Sequence, residues 1–498
     1  MLLATTVKKI FFAIIVLSAI VRVYYFFVLP EGAYNDSLYH LNIVGKILGQ
    51  KTFSLQGIDV PPPFYYSVFA SLLSQSHLGL NSFTAKIFPF AIELLSLILA
   101  FVVFKKMFNE NYFVPLAFFS VFPWVVRFSG INYAENLSVV FVLSSLYFLL
   151  NLKEKKETGL FSIFPLIFSI SALSLTKLNA AILVPVFFLA ALYLLYMSKA
   201  SLKVLGAFSI LAITLSGFWF FSNLLQFGVI DQHIKSDAVN FGPSTGFSAN
   251  SIIQNLLFYF LYFFDFPNQS AFEPGGFLWK LDFLLLSAVF FAIVLPLFFL
   301  IIFGFKKMAF QKNIVNIAVL LMVLVSFIPI IQRTAYYRLI IPVVPLISIV
   351  FARGFFDTKN SKLKSMALVS FVLFSFYSMA LVSVSAYEFS NAYSKHSNLF
   401  AEISKLDNSS LVLVNSNMQR QVNLFSGKKA FGMTPNEQRL NTKTSSDFYN
   451  SFKEYGITHI AKTCYKDTLN QSFLGQLVQS GKLQKIYSDN CGAIYRVW

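Results

Sequence analysis

The chain is expected to fold as an all-α polytopic membrane protein of about eleven transmembrane helices with a small extracytoplasmic α/β domain at its C-terminus. Three observations predict this. Hydrophobic residues make up 56% of the 498 positions and charged residues only 12%, whereas soluble domains carry roughly a quarter charged residues. Apolar runs of about 20 residues, the length that crosses a hydrocarbon core, recur from the N-terminus onward. After residue 386 the chain turns polar, and strand-like and helix-like stretches alternate.

The net charge of +17 would suggest nucleic acid as the partner of a soluble chain. Here the basic residues sit in short clusters between apolar runs, with no basic stripe interleaved with exposed aromatics, so they read as membrane topology. The first run, Ile10 to Leu29, is too long for a signal-peptide core and lacks a small-residue cleavage site, so it is a retained helix. Spans follow near 84–104, 112–126, 133–151, 160–176, 178–197, 204–223, 281–305, 313–331, 337–354 and 365–386.

With that count, Lys8 and Lys9, Lys105 and Lys106, and Lys153, Lys155 and Lys156 all fall on one side. So do Lys199 and Lys203, then Lys306, Lys307 and Lys312, then Arg353, Lys359, Lys362 and Lys364. The positive-inside rule makes that side the cytoplasm, which places the N-terminus inside and the C-terminal domain outside the cell membrane. The stretch FYYSVFASLLSQSHLGL (64–80) is apolar, but counting it as a span would put every later cluster outside, so it should lie on the membrane or re-enter.

Residues 1–386 then form a transmembrane domain with outer loops 30–83 and 224–280, and 387–498 form the tail. In the tail, 410–416, 458–466 and 493–498 read as strands, with helices over 446–456 and across TLNQSFLGQLVQSG. The two cysteines, Cys464 and Cys491, both lie there, at the end of one strand and the start of the next. An outside tail suits a disulfide between them; two buried free thiols are the alternative.

Several polar groups are not needed for topology. On the outer side stand the bases Arg127, Lys177, Lys235 and Arg338 and the acids Asp36 and Glu135. Charges at a membrane are costly and tend to be functional, although a lysine near a span end can simply snorkel to the headgroups. Arg127, Glu135, Lys177 and Arg338 fall at outer helix ends and are expected around one cavity with Asp36. Asp36 lies in NDSLYH, which also offers Tyr39 and His40. Leu38, Leu41, Val44 and Leu48 recur at helical spacing, so 37–49 is expected to be a short amphipathic helix with Asn35, Asp36 or Ser37 as its cap. Inside the membrane, Arg22 and Glu93 lie eight and nine residues from outer span ends, roughly 12–14 Å deep, and are expected to pair.

Together with VPPPFYY (60–66), FPWVVRFSGINYAENLSVVF (122–141), LTKLNAAILVP (175–185) and RTAYYRLIIPVVPLISIVFARGF (333–355), NDSLYH resembles the GT-C glycosyltransferases that use lipid-phosphate sugars. These include the protein O-mannosyltransferases and the lipid A aminoarabinose transferases. The resemblance implies transfer of a sugar from a polyprenyl or dolichyl phosphate to an extracytoplasmic acceptor, with inversion. It makes Asp36 the general base and Glu135 a second acid, and it places Lys177 and Arg338 around the lipid phosphate. Tyr39, His40, Arg127, His233 and Lys235 are further substrate-binding candidates.

No cofactor is required for this chemistry; a divalent cation is compatible, with Asp36 and Glu135 as its ligands if any. Ser37 stands where many relatives have a second acid, which weakens that metal site. The WWDYG-type signature of oligosaccharyltransferases is absent from a tail whose only tryptophan is Trp498. A lipid or polysaccharide transporter is the main rival. It would place ionisable groups near the midplane and show internal repeats, whereas these gather at one face and no repeat is evident.

Overall fold

The computed structural model describes residues 2–28, 35–49, 63–127 (apart from Gly79 and Asn81), 133–154, 159–228, 283–327 (apart from Lys312), 337–415, 428–433, 444–463, 471–490 and 492–498, with isolated residues between. Two compact units divide the chain: Met1–Phe26 with Ile47–Ser383, and Phe27–Lys46 with Val384–Trp498. Residues 27–46, expected in the transmembrane domain, thus group with the C-terminal unit.

The helices begin with α1 (Leu2–Val28), α2 (Asn35–Leu48), α3 (Phe64–Gln75), α4 (Ser82–Phe108), α5 (Phe113–Val121), α6 (Pro123–Arg127) and α7 (Ala134–Glu154). Then come α8 (Leu160–Thr176), α9 (Leu178–Ala181), α10 (Val184–Met197), α11 (Leu202–Phe227), α12 (Phe283–Phe310) and α13 (Ile314–Ser326). A 3-10 segment, Tyr337–Val343, leads into α14 (Val344–Asp357), and α15 (Ser361–Ser404) follows.

Described helix falls within each of the eleven expected spans, but among the described residues only seven helices are long and apolar enough to cross a membrane. These are α1, α4, α7, α11, α12, α14 with its 3-10 lead, and α15. The other four segments are short or broken, each for a local reason. Pro123 has no N–H with which to continue α5, and Phe122 turns extended (φ −60°, ψ 123°). Lys177 is extended as well (φ −159°, ψ 139°) and separates α8 from α9. α10 restarts with a proline in its first turn. α13 has 13 residues, about 20 Å at 1.5 Å each against a core of about 30 Å.

Side chains tie the helix ends together. Lys8 lies 3.9 Å from Glu110 and Lys106 lies 2.5 Å from Glu154. Lys153 donates to Asn313 Oδ1 (3.2 Å), and the Arg353 guanidinium stacks on Phe108. The start of α1, the ends of α4, α7 and α14 and the start of α13 therefore share one lysine-rich end. That arrangement requires α3 not to cross between α1 and α4. Its 12 residues reach about 18 Å, too little to cross.

α7 and α14 form the centre of this unit. They have 78% and 83% of their apolar stretches buried, against 17–44% for the other five long helices. α14 crosses α12 backbone to backbone: a Cβ added at Gly304 would overlap the Val350 carbonyl, and one at Gly354 the Leu300 carbonyl. In an open helix, glycine to alanine would stabilise by about 1 kcal/mol. Here Gly354→Ala should instead destabilise by roughly 1–3 kcal/mol, because the helices must part. Thermal unfolding of the solubilised protein decides the sign; a raised melting temperature would contradict the close crossing.

The second unit holds a five-stranded sheet of β1 (Leu411–Asn415), β2 (Lys429–Met433), β3 (His459–Thr463), β4 (Leu483–Ser488) and β5 (Gly492–Val497). The order is β2-β1-β3-β5-β4, with β2, β1 and β3 parallel and β5 antiparallel to β3 and β4. Its helices are α16 (Ser445–Glu454), opened by a Thr444–Asp447 capping box, and α17 (Gln471–Gln479). Phe448, Phe452, Leu474 and Leu477 pack with Leu413 and Ile460, while Leu399, Phe400 and Ile403 of α15 pack with Val412, Ala461 and Ile494. Those three α15 residues extend that helix to 404, well past the expected 386.

Thr463 pairs with Gly492 across β3 and β5, so the next residues outward are Cys464 and Cys491, both outside the described residues. A disulfide there should leave no alkylatable thiol in unreduced protein, and closing the loop should contribute about 3–4 kcal/mol. Two labelled thiols by mass spectrometry would remove it.

Candidate active site

At the end away from the lysines, a buried ion pair lies where α7 begins and α8 gives way to α9. Glu135 is the second residue of α7 and is fully buried. Its Oε1 lies 3.5 Å from Lys177 Nζ, whose side chain is only 13% exposed. Packing of α7 on α8 brings the two together, and the extended backbone at 177 frees that side chain from the helix. The start of α7 also carries the positive end of the helix dipole, which favours a carboxylate in the first turn. Removing Glu135 would take from the largely buried Lys177 ammonium its carboxylate partner. Glu135 is 18 residues from Lys153, about 27 Å along the helix, so this pair sits at the end opposite the lysine-rich one.

Arg127 ends α6, is buried to 6% exposure and stacks over Trp124 (4.7 Å). The 3-10 segment Tyr337–Val343 packs against both α6 and α7. Arg338 is the second residue of that segment; its side chain lies outside the described residues. Within the connection into α7, Asn136 Nδ2 donates to the Ile131 carbonyl (3.2 Å), fixing the turn before Glu135. Trp124 and Asn136 were not singled out in the sequence. The i, i+3 spacing of Trp124 and Arg127 was a usable signal, whereas the Asn136 bond depends on a turn that sequence does not specify.

Other expected residues fall elsewhere. α2 begins at Asn35, two residues before the expected start, so Asp36 lies in its first turn. The side chains of Asp36 and Tyr39 lie outside the described residues, as do His233 and Lys235 altogether. His40 is buried, with Leu41, Val44 and Ile47 forming the covered side of α2. Arg22 and Glu93 are paired at 3.0 Å and both buried. Among the described residues no three His, Cys, Asp or Glu side chains come close enough to hold a metal ion.

No protein-family model and no curated protein sequence matches the chain. Solved structures do. ArnT from Cupriavidus metallidurans in the apo state aligns with a TM-score of 0.58 at 11% identity, over 96% of this chain and 97% of that one. The same protein bound to undecaprenyl phosphate gives 0.55 at 10% identity, over 97% of each chain. The oligosaccharyltransferase AglB from Archaeoglobus fulgidus, in complex with an inhibitory peptide and a dolichol-phosphate, gives 0.54 at 12%, over 91% of this chain and 69% of that one.

This chain has the GT-C fold. The GT-C fold here takes in the helical bundle and the C-terminal sheet, since the ArnT alignments leave only 3–4% of the chain uncovered. A multi-pass membrane protein follows from that fold together with the seven long apolar helices.

Proposed function

We propose that the protein is an inverting glycosyltransferase that moves a sugar from a polyprenyl or dolichyl phosphate to an extracytoplasmic acceptor. The observation that carries the reading is the buried Glu135–Lys177 pair, at the end away from the lysine-rich one, in a GT-C fold. Among Arg127, Lys177 and Glu135 there are two positive charges and one negative, a net +1; Arg338 raises it to +2 and the Asp36 carboxylate returns it to +1. Such an excess suits a phosphate. Similar folds have been solved with lipid phosphates, undecaprenyl phosphate in ArnT and dolichol-phosphate in AglB.

In this reading an acceptor hydroxyl or amine attacks the anomeric carbon, and its proton passes to the Asp36 carboxylate. The bond from that carbon to the phosphate oxygen breaks, and the lipid phosphate leaves with the electron pair. Lys177 and Arg338 stabilise the leaving phosphate, with Arg127 adding charge from its place on Trp124. Glu135 holds Lys177 in position and borders the acceptor site. Attack from the face opposite the leaving group inverts the anomeric configuration.

The test is an assay of the purified protein against a panel of polyprenyl-phosphate monosaccharides, read as free lipid phosphate released. Release with one donor in the presence of an acceptor supports the assignment. Movement of intact lipid across vesicles, with no release from any donor, would make the protein a transporter instead.

A further inference from the structure

At the lysine-rich end, α12 and the start of α15 leave an apolar groove of about 450 Å³ between them. That is within the usual range for small-molecule sites, roughly 300–1,000 Å³. Phe299, Ile302, Phe303 and Met366 form its wall, and Lys306 and Lys362 stand with them. Phe299, Ile302 and Met366 are about half exposed, so the wall opens toward the surrounding lipid. Among the described residues no acid lines the groove, and Asn360, which accepts the Leu363 N–H, marks the start of α15 there. The first turn of that helix adds partial positive charge to the two ammonium groups.

We propose that this groove holds one anionic phospholipid from the leaflet at the lysine-rich end. Its phosphate meets Lys306 and Lys362, and an acyl chain lies along Phe299, Ile302 and Met366. A zwitterionic lipid fits the wall but gives the two lysines no net charge to neutralise. A small soluble anion fits the lysines but has no use for the wall. Only an amphiphile with an anionic head satisfies both, and basic pockets between membrane helices recognise such heads. The site is independent of the transferase reading, because it lies at the other end of the bundle.

Each lysine near an anionic headgroup is expected to favour binding about fivefold, so the pair should prefer an anionic lipid roughly 25-fold. Native mass spectrometry of the full chain from micelles with equal phosphatidylglycerol and phosphatidylcholine should therefore show the bound lipid almost entirely as phosphatidylglycerol. Lys306→Gln with Lys362→Gln should bring the two lipids to parity, while Lys199→Gln with Lys203→Gln keeps the preference. Ile302→Trp, which fills the groove and leaves both lysines, should lose the bound lipid. A matched melting temperature in phosphatidylcholine shows that each variant is folded. Equal retention of both lipids by the wild type, or an unchanged preference in the Lys306/Lys362 variant, overturns the proposal. So does displacement of phosphatidylglycerol by a tenfold lower concentration of polyprenyl phosphate, which would reassign the groove to the carrier lipid.

Discussion

Asp36→Asn should lower turnover by at least about a hundredfold while the protein still expresses and melts like the wild type. The magnitude separates a general base from a helix end. As a first-turn acid of α2, which already takes in Asn35, Asp36 interacts with the helix dipole for about 0.3–1 kcal/mol. A hundredfold loss corresponds to about 2.7 kcal/mol in the transition state, more than the helix effect supplies. Asparagine keeps the size and removes the charge, and with it the basicity and the dipole interaction. The measurement is lipid-phosphate release under saturating donor, alongside a melting curve. Activity near wild type would leave Asp36 as part of a helix terminus and nothing more.

Arg22→Ala should destabilise the protein by roughly 3–5 kcal/mol, the range for breaking a buried ion pair. Arg22 Nε donates to Glu93 Oε1 (3.0 Å), and Nη1 donates to the Ser120 carbonyl (2.7 Å) and to Ser18 Oγ. Glu93→Ala removes only the first of these partners, so its cost should be smaller. Glu93 has no counter-charge once Arg22 is gone, so the double variant should cost less than the sum, with a coupling of about 1–3 kcal/mol. Additive losses in the denaturation midpoints would mean that the two side chains are stabilised separately.

Long apolar elements and their alternation were legible in the sequence, because hydrocarbon length and loop charge act on every span alike. The interruptions were less so. Pro123 was visible, but whether a proline kinks or breaks a helix depends on what receives the freed carbonyls, and that is set by residues far along the chain. β4 escaped notice because it is an edge strand with three consecutive exposed residues, Gln484 to Ile486, so no alternation marks it. β2, the other edge, is five residues with Gly432 inside. α15 runs past 386 because Leu399, Phe400 and Ile403 return at helical spacing after a polar stretch that reads as an end.

At the candidate site, residue types and helix-end positions pointed to Glu135 and Lys177 separately. Their contact arises from the packing of α7 on α8, which no local pattern encodes. The pairing of Arg22 with Glu93 was legible, since each is a charge at similar depth in an apolar run and few partners exist there.

The break between α5 and α6 sets a timetable for biogenesis. Two of its carbonyls accept from side chains far apart in the sequence: Ser120 from Ser18 and Arg22 of α1, and Val121 from Ser378 of α15. The first donors emerge from the ribosome ahead of the break. The last emerges 257 residues after it, about 13–50 s later at 5–20 residues per second. For that interval the Val121 carbonyl lacks its native side-chain donor. A nascent chain that stops short of Ser378 therefore lacks the native side-chain donor to the Val121 carbonyl.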